Sequence, residues 1–160
     1  MSLQSTTWII RVLSAIVAAS GFTTIAMADG NGRAVPLLPL YKQECAACHT
    51  AYPPTLMPAA SWTRIMGNLS KHFGADASLD TVTLKELSNW VNAHAGTYKR
   101  VSEEPPHDRI TRTVWFDRKH REVSTATWKL PAVKSAANCG ACHTKADTGD
   151  FNEHNVRIPR

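Results

Sequence analysis

All four cysteines of this chain fall in two copies of one pattern, Cys45-Ala-Ala-Cys48-His49 and Cys139-Gly-Ala-Cys142-His143. Two intervening residues bring both sulfurs to one side when the segment coils into a single helical turn, and the next residue projects from that same turn. Four cysteines in an oxidising compartment would ordinarily suggest two disulfides. A redox Cys-x-x-Cys pair, however, needs no histidine after it, and here one follows both pairs. Zinc could use two cysteines and a histidine, but adjacent residues such as Cys48 and His49 are badly placed to meet one tetrahedral ion together.

The N-terminus points to an oxidising compartment. Residues 12 to 27 carry no charged side chain, Arg11 stands just before them, and they run into Ala26-Met27-Ala28 and the polar Asp29-Gly30-Asn31-Gly32. This is the layout of a secretory signal peptide over residues 1–28, with cleavage expected before Asp29 and export of the rest. A retained anchor is the alternative, since Arg11 is the only charge of the leading segment. No later stretch approaches the roughly 18 apolar residues that a spanning helix needs. Removing 1–28 takes away one basic residue and no acid, so the net charge of +5 becomes +4. Such an excess serves solubility or attracts an acidic partner. With no basic helix or aromatic stacking motif, nucleic acid is not an expected partner.

Two Cys-x-x-Cys-His units in an exported chain are the signature of covalent haem attachment. The sequence therefore predicts two haem c groups, held by thioethers at Cys45 and Cys48 and at Cys139 and Cys142. His49 and His143 are then the proximal iron ligands. Haem also bears on stability, because lobes of about 60–70 residues have marginal cores of their own and a porphyrin adds a large apolar surface to each. The haem-free chain is expected to be largely unfolded.

The motifs start 94 residues apart and their surroundings do not match, so the chain is not a tandem repeat. The expected fold is mainly α: a helical N-terminal haem lobe over 29–98, a linker over 99–109 and an irregular, haem-organised C-terminal lobe over 110–160. Pro36 and Pro39 precede a short helix carrying the first motif, and residues 51–58 form a proline-rich, extended loop. Ser61 reads as the N-cap of a helix reaching Lys71 or His72, with Trp62, Ile65, Met66 and Leu69 on one face and Gly74 as its stop. Thr83 and Glu86 form a capping box for a third helix that closes at Gly96. Residues 99–109 are charged and broken by Pro105-Pro106. Beyond them periodicity is weak, with a helix expected at the second motif and a tail, 149–160, wrapping the surface.

Five histidines remain for the distal positions. His72 lies 23 residues after His49, at the end of an apolar helix face, and Met57 is its rival because a Met-Pro pair can supply a distal sulfur. Only eight residues separate Met57 from His49; at about 3.3 Å per residue the chain can span the distance but has little left to shape a pocket. For the second iron, His120 follows the aromatic pair Trp115-Phe116 and precedes its motif by 19 residues. His94 is its rival, sharing a helix face with Leu87 and Val91. His107 and His154 read as exposed.

Several segments in the same order carry a resemblance. They are Cys45 to His49 running into Ala51-Tyr52-Pro53-Pro54, Leu56-Met57-Pro58 with Ser61-Trp62, and His72-Phe73-Gly74 with Ala77-Ser78-Leu79. They continue with Arg109-Ile110-Thr111, Trp115-Phe116, Lys119-His120, and Asn138 through His143. Together these resemble the small bacterial dihaem cytochromes c over nearly all of the chain after residue 28. The resemblance implies an N-terminal lobe like class I cytochrome c, bis-histidine ligation at both haems with His72 and His120 as distal ligands, and one-electron transfer between redox proteins. It also implies electron transfer to a small oxygen-binding haem cytochrome in the periplasm. Six-coordinate iron has no free site, so no small-molecule substrate and no enzymatic activity are expected, and a membrane electron donor is the other expected partner. The alternatives are an electron-transfer subunit of a periplasmic reductase, or a haem enzyme or gas-binding protein with a labile distal ligand.

Overall fold

Helix starts in this protein are set by prolines and short polar side chains, not always the ones the sequence favoured. In the computed structural model, which describes residues 35–160, the first helix, α1, runs Pro39–Cys45 and delivers the first motif at its C-terminal end. The expected leader and its cleavage position lie outside the described residues. Helix α2 spans Ala59–Met66 and starts three residues earlier than Ser61 as N-cap would place it. The reason is Pro58, whose extended backbone turns its carbonyl onto the N–H groups of Ser61 (3.1 Å) and Trp62 (3.3 Å). Ser61 is thus inside the helix and fully buried. The helix stops at Gly67, and a 3-10 turn over Leu69–Lys71 leads to His72.

Helix α3, Thr81–Ala93, also begins earlier than expected. Asp80 is its N-cap: one carboxylate oxygen accepts from Val82 N–H (2.9 Å) and Thr83 N–H (3.0 Å), satisfying two otherwise free donors. The C-cap is His94, and Gly96 has a different task. Its N–H donates to Met57 O at 2.9 Å, and a Cβ there would collide with the Val101 side chain and the Thr55 carbonyl.

Helix α4, Val114–His120, is capped by Thr113, and the single-turn α5, Thr125–Trp128, by Ser124. The second motif forms only a 3-10 turn, Cys139–Ala141, where a helix was expected. Among the described residues there is no strand, only the isolated bridges His72–Ala75 and His143–Val156.

Helices α2 and α3 pack together. Trp62 and Met66 on one, Leu87 and Val91 on the other, recur at i, i+4 and meet Tyr41, Ala51, Met57 and Ile110 in one buried cluster. Each such apolar side chain contributes roughly 1.5–3 kcal/mol on burial. Trp62 Nε1 donates to Pro54 O (2.8 Å), pinning the proline loop onto α2. The C-terminal half buries far less, chiefly Phe116, Val133 and Ala146.

The segment expected as a linker is well anchored. Val101 is buried, and Arg64 holds Asp108 through two hydrogen bonds (2.9 and 2.6 Å) and Glu104 through one (2.6 Å). The Arg64 guanidinium keeps the Asp108 carboxyl below its ordinary range. Trp115 Nε1 donates to Leu56 O at 3.2 Å, so α4 is tied to the proline loop. All the described residues belong to one compact unit.

Candidate cofactor centres

At the first motif, α1 ends on Cys45 and the chain turns through Cys48 to His49. No two of the four cysteines are joined in a disulfide. Burial, then the neighbouring Glu44, pushes the Cys45 thiol up to about 11. Burial likewise pushes Cys139 up to about 11 and raises Cys142. Among the described residues no group of three or more His, Cys, Asp or Glu is placed to hold a bare metal ion.

The histidines instead come in pairs. His49 Nδ1 is bonded to Thr50 O (2.7 Å), which leaves Nε2 free. His72 follows the 3-10 turn, and the chain reverses at once through Phe73 (φ 51°) and Gly74 (φ 101°). A phenylalanine in the left-handed region is strained; it lies beside the histidine that the reversal presents. The His49 and His72 rings stand 6.0 Å apart, centroid to centroid, with 19° between their planes. Burial, then His49 itself, lowers the His72 pKa and favours the neutral imidazole that a metal needs.

At the second motif His143 N–H donates to Cys139 O (2.8 Å). The tail clamps this turn, since Arg157 N–H donates to Cys142 O (2.8 Å) and Thr144 N–H to Asn155 O (3.0 Å). His120, the last residue of α4, has Nδ1 bonded to Phe116 O (2.8 Å) and its ring stacked on Phe116 at 4.0 Å. The His120 and His143 rings stand 6.1 Å apart, at 70°. Trp128 flanks His120 and Phe151 flanks His143. Burial, then His120, lowers the His143 pKa.

Both pairs suit an iron held between two imidazoles. Two metal–imidazole bonds of about 2 Å put the coordinating nitrogens about 4 Å apart, and centroid separations of 6.0 and 6.1 Å leave room for that span. Nδ1 of His143 is the one buried side-chain nitrogen or oxygen among the described residues without a hydrogen-bond partner. It differs in this from His49 and His120, whose Nδ1 atoms are bonded to backbone carbonyls.

The rival candidates are placed elsewhere. Met57 is buried in the helical core with Trp62 and Met66. His94 bonds Trp90 O through Nδ1 (2.8 Å), and its ring lies against Trp90. His107 and His154 are exposed. Sequence reasoning did not single out Phe151, Val156 or the role of Tyr52, whose ring stacks on His49 at 5.0 Å. Only the tyrosine's position just after the first motif could have hinted at it.

The family model for dihaem cytochrome c matches residues 41–151. Among solved structures the chain is similar to a dihaem cytochrome c from Shewanella baltica OS155, with 36% identity over 78% of this chain and 95% of that one, at a TM-score of 0.67. It is also similar to one from Rhodobacter sphaeroides, with 44% identity over 73% of this chain and 99% of that one, at 0.63. A second Rhodobacter sphaeroides structure gives 40% identity, 73% and 100% coverage, and 0.64. No curated protein sequence matches. Two complete attachment motifs on a helical scaffold, matched across most of its length, leave one conclusion: the chain belongs to the dihaem cytochrome c family and binds two haem c groups covalently, at Cys45 and Cys48 and at Cys139 and Cys142.

Proposed function

We propose that this protein is a periplasmic one-electron carrier, exported by the leader 1–28, in which His49 and His72 ligate one haem iron and His143 and His120 the other. The observation that supports this most is the facing of the two histidine pairs, at 6.0 and 6.1 Å. Haem iron supplies a one-electron couple whose potential follows axial ligation, hydrogen bonding and burial. The Nδ1 bonds of His49 to Thr50 O and of His120 to Phe116 O fix these rings with Nε2 free and raise their basicity. Phe116, Trp128 and Phe151 limit water at the second pair. With both axial positions filled by histidine there is no open site for a substrate, so the protein acts as a carrier and not as an enzyme.

Near-infrared magnetic circular dichroism of the oxidised protein should show bis-histidine bands only; a histidine–methionine band would reinstate Met57. Carbon monoxide should leave the spectrum of the reduced protein unchanged, whereas rapid binding would favour a labile distal ligand. Electron paramagnetic resonance should resolve two low-spin signals. Near-parallel imidazoles, as at 19°, split the iron π-orbitals and give a rhombic spectrum, while crossed planes, as at 70°, leave them nearly degenerate with one very large g value.

The family resemblance supports a small oxygen-binding haem cytochrome as acceptor and a membrane protein as donor. Arg109, Arg112, Arg118, Lys119 and Arg121 stand against one acid, Asp117, between positions 109 and 121. Lys119 is engaged with Glu153 (3.0 Å), and the Arg109 guanidinium lies over Phe73 (4.6 Å). If these residues steer an acidic partner, the bimolecular electron-transfer rate should fall as ionic strength rises. A salt-independent rate would leave pairing with the haem propionates as their role.

A further inference from the structure

We infer that Tyr52 is a positioning residue that couples the two haem centres: its ring sets the plane of the His49 imidazole, while its hydroxyl holds the segment that carries Cys139. The inference rests on the reading above that His49 ligates the first iron. Tyr52 is fastened at three points. Its ring lies 5.0 Å from that of His49 at 18°, so the imidazole cannot turn without displacing it. Its carbonyl accepts from Tyr41 Oη (2.8 Å), and Tyr41 is the buried residue of α1, the helix that ends on Cys45.

Its own Oη donates to Ala137 O at 2.7 Å, across 85 residues of sequence. That carbonyl also accepts the N–H of Cys139 (3.0 Å). A carbonyl has two lone pairs, and here one serves the first motif's neighbour and the other the second motif's first cysteine. One side chain therefore reaches from an axial imidazole of one centre to the attachment turn of the other.

The test uses the haem-loaded protein with Tyr52→Phe and Tyr52→Leu, each checked for two haems per chain. The two paramagnetic signals are assigned by His72→Ala and His120→Ala variants. Tyr52→Phe keeps the stacked ring and removes the hydroxyl, so the second centre's g values and midpoint potential should shift while the first centre's g values stay. Tyr52→Leu removes both, and the g values of both centres should move. A second centre indifferent to Tyr52→Phe, or a first centre indifferent to Tyr52→Leu, would overturn the coupling role and leave the ligation reading intact. A wild-type first centre without bis-histidine bands would overturn that reading and this inference together.

Discussion

Replacing His120 with alanine should turn one haem five-coordinate and high-spin while the other stays six-coordinate, whereas His94→Ala should leave both low-spin. The two histidines have the same local arrangement. Each closes a helix and bonds the carbonyl four residues back, Phe116 O or Trp90 O, at 2.8 Å. What differs is what each ring meets: His120 faces His143, and His94 lies on Trp90, 5.1 Å away. Chain connectivity favours the same choice, since a ligand 19 residues from Cys139 closes a shorter loop than one in α3, and closure entropy grows with loop length. His94→Ala should cost about 1 kcal/mol of stability through its lost hydrogen bond and leave the spin state alone. Optical and paramagnetic resonance spectra of the two variants decide the matter. A high-spin haem in the His94 variant and none in the His120 variant would reverse the assignment.

Removing the second attachment site should unfold the C-terminal half while sparing the helical core. With Cys139→Ala and Cys142→Ala together, amide exchange across 114–160 should lose its protection, while Leu87 and Val91 of α3 remain slow to exchange. The expectation follows from where apolar surface is buried. Eight residues around α2 and α3 form one cluster, but α4, α5 and the tail contribute little beyond Phe116, Val133 and Ala146. A segment of about 50 residues with so few buried side chains cannot offset its ordering entropy of roughly 1–2 kcal/mol per residue. The rings of His120, Trp128, His143 and Phe151 that line the second centre are instead only partly buried by protein. Exchange mass spectrometry of the two-haem and one-haem proteins makes the comparison. Full protection of 114–160 in the one-haem protein would show that the polypeptide alone carries this half.

The fold was legible where the physics is local and less so where neighbouring residues compete. Helical character, the motif-bearing turn of α1 and the apolar faces of α2 and α3 follow from spacing. The helix starts did not, because Pro58 and Ser61, or Asp80 and Thr83, are alternative starts three residues apart. The turn of the incoming chain chooses between them, and at Asp80 one carboxylate reaches two N–H groups. The second motif forms a 3-10 turn instead of a helix because Gly140 weakens it and the tail, not a following helical turn, pairs with it: the Arg157 N–H takes up the Cys142 carbonyl, and the Asn155 carbonyl takes up the Thr144 N–H.

Attachment chemistry is a property of five consecutive residues, so the sequence by itself determined the two haems, their four cysteines and the family. The partners of the motif histidines are another matter. His72 and His120 meet His49 and His143 only after α2, its following turn and α4 have been placed by packing, and the sequence alone left Met57 and His94 in contention. Met57 points into the core because Trp62, Met66, Leu87 and Val91 bury it there, and His94 is held against Trp90 by the end of its own helix. The link from Tyr52 to Ala137 spans 85 residues and rests on one hydrogen bond. No pattern of spacing announces such a contact, because it exists only where two distant turns are packed side by side.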